Sequence, residues 1–65
     1  MPINLKFRSG EKVTWKDGNG TMTGVVEAGF ECAHTPNVYV IRVGLGKGAR
    51  RFERYEPSLR KVSGA

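Results

Sequence analysis

Lys12-Val13-Thr14-Trp15-Lys16, followed directly by Asp17-Gly18-Asn19-Gly20, is the stretch on which the fold turns. Residue types alternate from Lys12 to Lys16, placing Val13 and Trp15 on one face and charged or hydroxyl side chains on the other. That is the period of a half-buried strand. The four residues after it are two consecutive turn dipeptides, because Gly and Asn tolerate the positive φ that tight hairpins demand. A strand entering such a turn must fold back on an antiparallel partner, and Thr21 to Phe30 supplies one. Gly24 and Gly29 within that partner predict a bulge or sharp bend, as small barrels use to turn corners.

The same punctuation continues to the C-terminus. Nine glycines and three prolines leave no uninterrupted window for an amphipathic helix. Glu31 to Asn37 is a loop containing Pro36. Five of the six residues from Val38 to Val43 are β-branched or aromatic, which makes this the strongest strand in the chain. Gly44 to Gly48 reads as a flexible turn, Ala49 to Tyr55 as a fourth strand, and Glu56-Pro57-Ser58 as one helical turn. A short closing strand from Leu59 to Val62 follows. The expectation is an all-β domain: a five-stranded, strongly bent antiparallel barrel over residues 10–62, with one helical turn before the last strand. Residues 1–9 are expected to be a loosely held N-terminal segment and 63–65 a tail.

Gly10-Glu11-Lys12-Val13-Thr14-Trp15, then Gly18, then Gly24-Val25-Val26, resembles the first hairpin of SH3-like barrels, especially those with a KOW motif. Glu56-Pro57-Ser58-Leu59-Arg60-Lys61-Val62 is similar to the one-turn helix and closing strand of that fold. The likeness covers about fifty residues and rests on glycines and valines, so it implies a fold more than a function. In the related Tudor barrels, aromatics of adjacent strands form a cage for methylated ammonium groups. Trp15, Tyr39, Phe52 and Tyr55 are the rings available for one here, although so small a core needs rings for packing. Gly10 to Val13, Gly24-Val25-Val26, Cys32, Thr35-Pro36 and Tyr39 also resemble, in order, the plasmid-borne type II dihydrofolate reductases, which build one pore from four subunits. Their functional tetrapeptide is Val-Gln-Ile-Tyr, and the nearest stretch here, Phe52-Glu53-Arg54-Tyr55, keeps only the tyrosine.

Length and composition bound the rest. Sixty-five residues suffice for one domain, which buries only about 60% of its unfolded surface, so self-association is a plausible extra source of stability. Cys32 is the only cysteine, which excludes an internal disulfide and fits a reducing, cytoplasmic setting. No apolar run approaches membrane-spanning length, so no membrane partner is expected.

Charge gives the strongest functional signal. From Arg42 to Lys61 seven bases meet two acids, whereas from Met1 to Ile41 four bases meet four acids, so the whole net charge of +5 lies in the last third. A confined excess makes a directional field that favours a polyanion. If Ala49 to Tyr55 is a strand, Phe52 anchors it to the core with Arg50 and Arg54 flanking, while Arg51 and Tyr55 point outward. Guanidinium forks match phosphate oxygens and aromatic faces accept unstacked bases. Lys47, Arg50, Arg51 and Arg54 are therefore the expected phosphate contacts, with stacking on Tyr55 or Trp15.

Competing readings are basic protection of an exposed edge strand, an interaction module for an acidic protein, and a reductase-like pore. Gly44-Leu45-Gly46-Lys47-Gly48-Ala49 matches a dinucleotide fingerprint only by glycine content, since no helix can follow it. Cys32 and His34 are too few for a closed zinc site. Cys32 reads as a small half-buried hydrophobe and His34 as a solvated loop residue, and the scattered acids suggest no catalytic pair. No cofactor, metal or catalytic residue is expected.

Overall fold

The computed structural model describes residues 5–62. Five antiparallel strands, β1 (Lys12–Asp17), β2 (Gly20–Phe30), β3 (Val38–Val43), β4 (Arg50–Tyr55) and β5 (Arg60–Lys61), form one sheet in the order β4-β3-β2-β1-β5. The first four make a meander, and β5 returns to pair with β1 through Val13↔Lys61 and Thr14↔Arg60. One 3-10 turn spans Glu56–Ser58, before the last strand as expected. A second spans Gly46–Gly48, where the sequence suggested only a flexible turn. The β1–β2 hairpin closes through Asp17↔Gly20, and of its two connecting residues only Gly18 takes a positive φ, of 62°. That is what a type II′ turn requires.

Alternation fills the interior. Val13 and Trp15 from β1, Val26 from β2, Tyr39 and Ile41 from β3, and Leu59 before β5 are buried together with Phe7. Leu5, Met22, Val43 and Phe52 pack against this cluster from its margins. Each fully buried aliphatic or aromatic side chain contributes roughly 1.5–3 kcal/mol of transfer free energy. Within the segment 1–9, expected to be loosely held, Phe7 is instead a core element, its ring edge-on to Tyr39 at 5.4 Å. Residues 1–4 of that segment, and the tail at 63–65, lie outside the described residues.

Hydrogen bonds hold the Phe7 strap in place. The main-chain N–H groups of Lys6 and Phe7 donate to the Tyr39 hydroxyl at 2.9 and 3.3 Å. The hydroxyl donates in turn to the Glu56 carboxylate. That carboxylate also accepts from the Lys6 N–H and the Asn37 side-chain amide, each at 3.2 Å. A phenol is needed here because it accepts from one segment while donating to another. The hydrogen bond from Tyr39 is the main influence holding the Glu56 pKa below its ordinary value, while burial and then the Glu56 contact push the Tyr39 hydroxyl up.

Two of the three glycines of β2 act by proximity. A Cβ on Gly24 would meet the Ile41 Cγ2 at 2.6 Å and the Arg42 carbonyl oxygen at 2.7 Å. One on Gly29 would meet the Tyr39 ring at 2.9 Å. The bulge itself lies between them, where the register shifts from Val26↔Ile41 to Ala28↔Val40 with Glu27 as the extra residue.

Two outcomes test this account. Gly24→Ala forces β2 and β3 apart and costs about 1–3 kcal/mol. Gly20→Ala, whose Cβ would meet nothing closer than 4.0 Å, stays within about 0.5 kcal/mol of wild type. Urea midpoints at unchanged m-value measure both. The polar knot adds a pH signature. Because folding lowers the Glu56 pKa from 4.5, its stabilisation is complete above that value and is lost as pH falls through the folded one. Because folding raises the Tyr39 pKa from 10.0, its stabilisation is complete below that value and is lost as pH rises through the folded one. Glu56→Gln therefore flattens the acid limb of the stability–pH curve and Tyr39→Phe the alkaline limb.

Candidate nucleic-acid interface

Among the described residues β4 is an edge strand, paired with β3 on one side only. Its alternation divides the basic residues as expected. Arg50, Phe52 and Arg54 lie on the core-facing side, opposite Val43, Ile41 and Tyr39. Arg51, Glu53 and Tyr55 lie on the outer side, opposite Arg42, Val40 and Val38. The predicted site residues therefore fall into three groups rather than one patch.

The first group is at the hairpin end. Arg42 and Arg51 are directly opposed, a pairing of like charges that destabilises a sheet unless something relieves it. The relief is Glu27, the bulge residue of β2. Its Oε1 accepts from the Arg51 Nε at 2.7 Å, and its Oε2 lies 3.7 Å from the Arg42 guanidinium. One carboxylate thus serves two arginines. Arg50 is exposed at the next position, and Lys47 is exposed in the connecting 3-10 turn. Neither has an ion-pair partner among the described residues. Four cations thus stand at one end of the hairpin, two of them sharing Glu27 and two without an ion-pair partner among the described residues. The Arg42 Nε is also buried with no acceptor among the described residues, a further cost of this arrangement.

The second group is Arg54 with Trp15. The guanidinium carbon of Arg54 sits 5.6 Å from the Trp15 ring centroid and 5.3 Å from that of Phe52, and the two rings are 5.7 Å apart. Arg54 closes the core through cation–π contact and packing of its stem. The stacking role expected of Trp15 is overturned, because its side chain is only 2% exposed and offers no ring face to a base. An aromatic cage built on Trp15 and Tyr39 meets the same obstacle, since both rings are core.

Tyr55 forms the third group. It is 51% exposed at the far end of β4, on the outer face with Arg51. Arg42 was visible in the sequence only as part of the charge total. Its place opposite Arg51 depends on the β3–β4 register, which composition does not specify.

The remaining sequence candidates are dispersed. Cys32 is half-buried with its thiol 3.9 Å from the Phe30 carbonyl oxygen, and His34 is exposed. Among the described residues no group of three His, Cys, Asp or Glu side chains is placed to hold a metal ion, and no helix is long and apolar enough to cross a membrane. No protein-family model, curated protein or solved structure matches this chain.

The shared carboxylate yields a test of the hairpin electrostatics. Glu27→Gln leaves Arg42 and Arg51 opposed without relief and lowers stability by about 1 kcal/mol or less at low salt. The deficit shrinks as salt screens the repulsion. Urea midpoints in 20 mM and in 500 mM sodium chloride read both effects.

Proposed function

We propose that this chain is a small non-enzymatic module that binds nucleic acid through its basic β3–β4 hairpin, on a barrel of the SH3-like kind. The meander with a fifth strand returning to β1, and the 3-10 turn before that strand, support the barrel assignment. The functional reading rests on one observation: at one end of the hairpin Arg42 and Arg51 share the single carboxylate of Glu27, and exposed Lys47 and Arg50 stand at the same end with no ion-pair partner among the described residues. Stability does not account for that cluster. Opposed arginines and a buried guanidinium N–H without an acceptor both cost free energy, and such costs concentrate where function requires them. Edge protection needs exposed cations along β4, which Arg50 and Arg51 provide, but not Arg42 on the interior strand β3.

Phosphate is the group this cluster suits. Guanidinium forks grip phosphate oxygens bidentately, and Lys47 adds a mobile point charge. Binding is mainly electrostatic and weakly sequence-specific, since no recognition helix is present among the described residues to enter a major groove. The lone thiol fits a reducing compartment such as the cytoplasm.

A salt titration tests the reading. For three to four phosphate contacts, log affinity for an oligonucleotide falls linearly with log salt, with a slope of roughly −2 to −4. Lys47→Glu combined with Arg50→Glu, at two exposed positions that make no ion pair among the described residues, reduces the magnitude of that slope by about 2 and leaves the urea midpoint nearly unchanged. A salt-independent affinity, or a partner recovered equally after nuclease treatment, defeats the proposal.

A further inference from the structure

The outer face of β2–β3–β4 carries a second feature beside the arginines. Phe30 pairs with Val38, and Val38 pairs with Tyr55, so these three side chains form one rung across three strands. Phe30 is 52% exposed and Tyr55 51%, on either side of a half-buried valine. The next rung is Ala28–Val40–Glu53, and Arg42 and Arg51 follow. Two aromatic side chains stand on backbones about 10 Å apart, with the arginine pair about 13 Å along the same face.

We infer that this face is a binding platform for single-stranded nucleic acid, with unstacked bases lying on Phe30 and Tyr55 and the backbone phosphates running to Arg51 and Arg42. The inference rests on the nucleic-acid reading of the basic hairpin and adds to it the strandedness of the ligand and one further contact residue, Phe30. Charge complementarity selects this occupant. The face joins exposed rings to guanidinium groups, and a single strand offers π-faces and phosphates along one chain. A duplex keeps its bases stacked, so it can use the arginines but not the rings. The only acid on the middle rung, Glu53, lies on the edge strand. It repels phosphate there and separates the base end of the platform from the phosphate end.

Both rings are more than half exposed, so removing them spares the core. Fluorescence anisotropy with a labelled oligo(dT), oligo(U) and a duplex DNA of the same length reads the outcome. Phe30→Ala and Tyr55→Ala each weaken single-strand binding on the order of tenfold. Both leave the salt slope and duplex affinity unchanged, and Phe30→Trp restores binding. Unaltered emission from buried Trp15 reports that each alanine variant is folded. If the alanine variants bind single strands as wild type does, the platform falls while the basic-hairpin reading stands. If Lys47→Glu with Arg50→Glu has no effect but the ring variants lose binding, the Lys47 and Arg50 contacts fall and the platform with Arg42 and Arg51 stands. If no oligonucleotide binds at all, both fall. If the ring variants abolish self-association in sedimentation experiments and leave oligonucleotide binding intact, the face is a subunit interface and the platform is overturned.

Discussion

The hydroxyl of Tyr39 is the junction on which this small all-β domain depends. It accepts from the backbone of Lys6 and Phe7 and donates to Glu56, so one side chain of β3 joins the N-terminal strap to the 3-10 turn. The consequences reach the sheet. The strap inserts Phe7 into the core, and the 3-10 turn delivers Leu59 and then β5 to the edge of β1. Without both, the meander would leave one end of its interior open. A chain of this length has little apolar area in reserve, so a polar group connecting three segments carries unusual weight.

A bulge performs the corresponding task for the outer surface. Val26 faces the core opposite Ile41, and unbroken alternation from it would send Phe30 inward. The register shift between Val26 and Ala28 reverses that parity, so Gly29 faces Tyr39 and Phe30 faces solvent. The same shift leaves Glu27 as the extra residue, within reach of Arg42 and Arg51. One inserted position thus exposes an aromatic and supplies the counter-ion for a pair of opposed arginines.

This explains which parts of the molecule were legible beforehand. Strands with strict alternation, such as Lys12–Asp17, and turns with obligatory glycine, such as that at Gly18, follow from local chemistry. All five strands and the turn at Glu56–Ser58 were accessible on those grounds. Phe7 was not, because its burial goes with packing on and a hydrogen bond to Tyr39, which is 32 positions away. Gly24 and Gly29 in β2 announced an irregularity, but their small size serves close approach to Ile41 and Tyr39, and the bulge falls between them. Trp15 had the composition of either a stacking residue or a core residue. Its position across from Phe52 and beneath Arg54 decides for the core.

The arginines show how alternation on an edge strand divides labour that the sequence presents as one basic run. Arg54 is spent on closing the interior over Trp15 and Phe52, so its charge is tied to folding. Arg51, two registers from Glu53 and opposite Arg42, projects from the other face, where no core group needs it. The useful positive field is therefore smaller than the net charge of +5 implies and more localised. It arises where β3 and β4 meet their connecting turn, because Arg42 on the interior strand adds to the edge while Glu27 offsets only part of the sum. A field fixed to one end of a rigid hairpin orients a charged ligand as well as attracting it. For the ligand proposed above, orientation would determine which exposed side chains lie next along this face, and those are Tyr55 and Phe30.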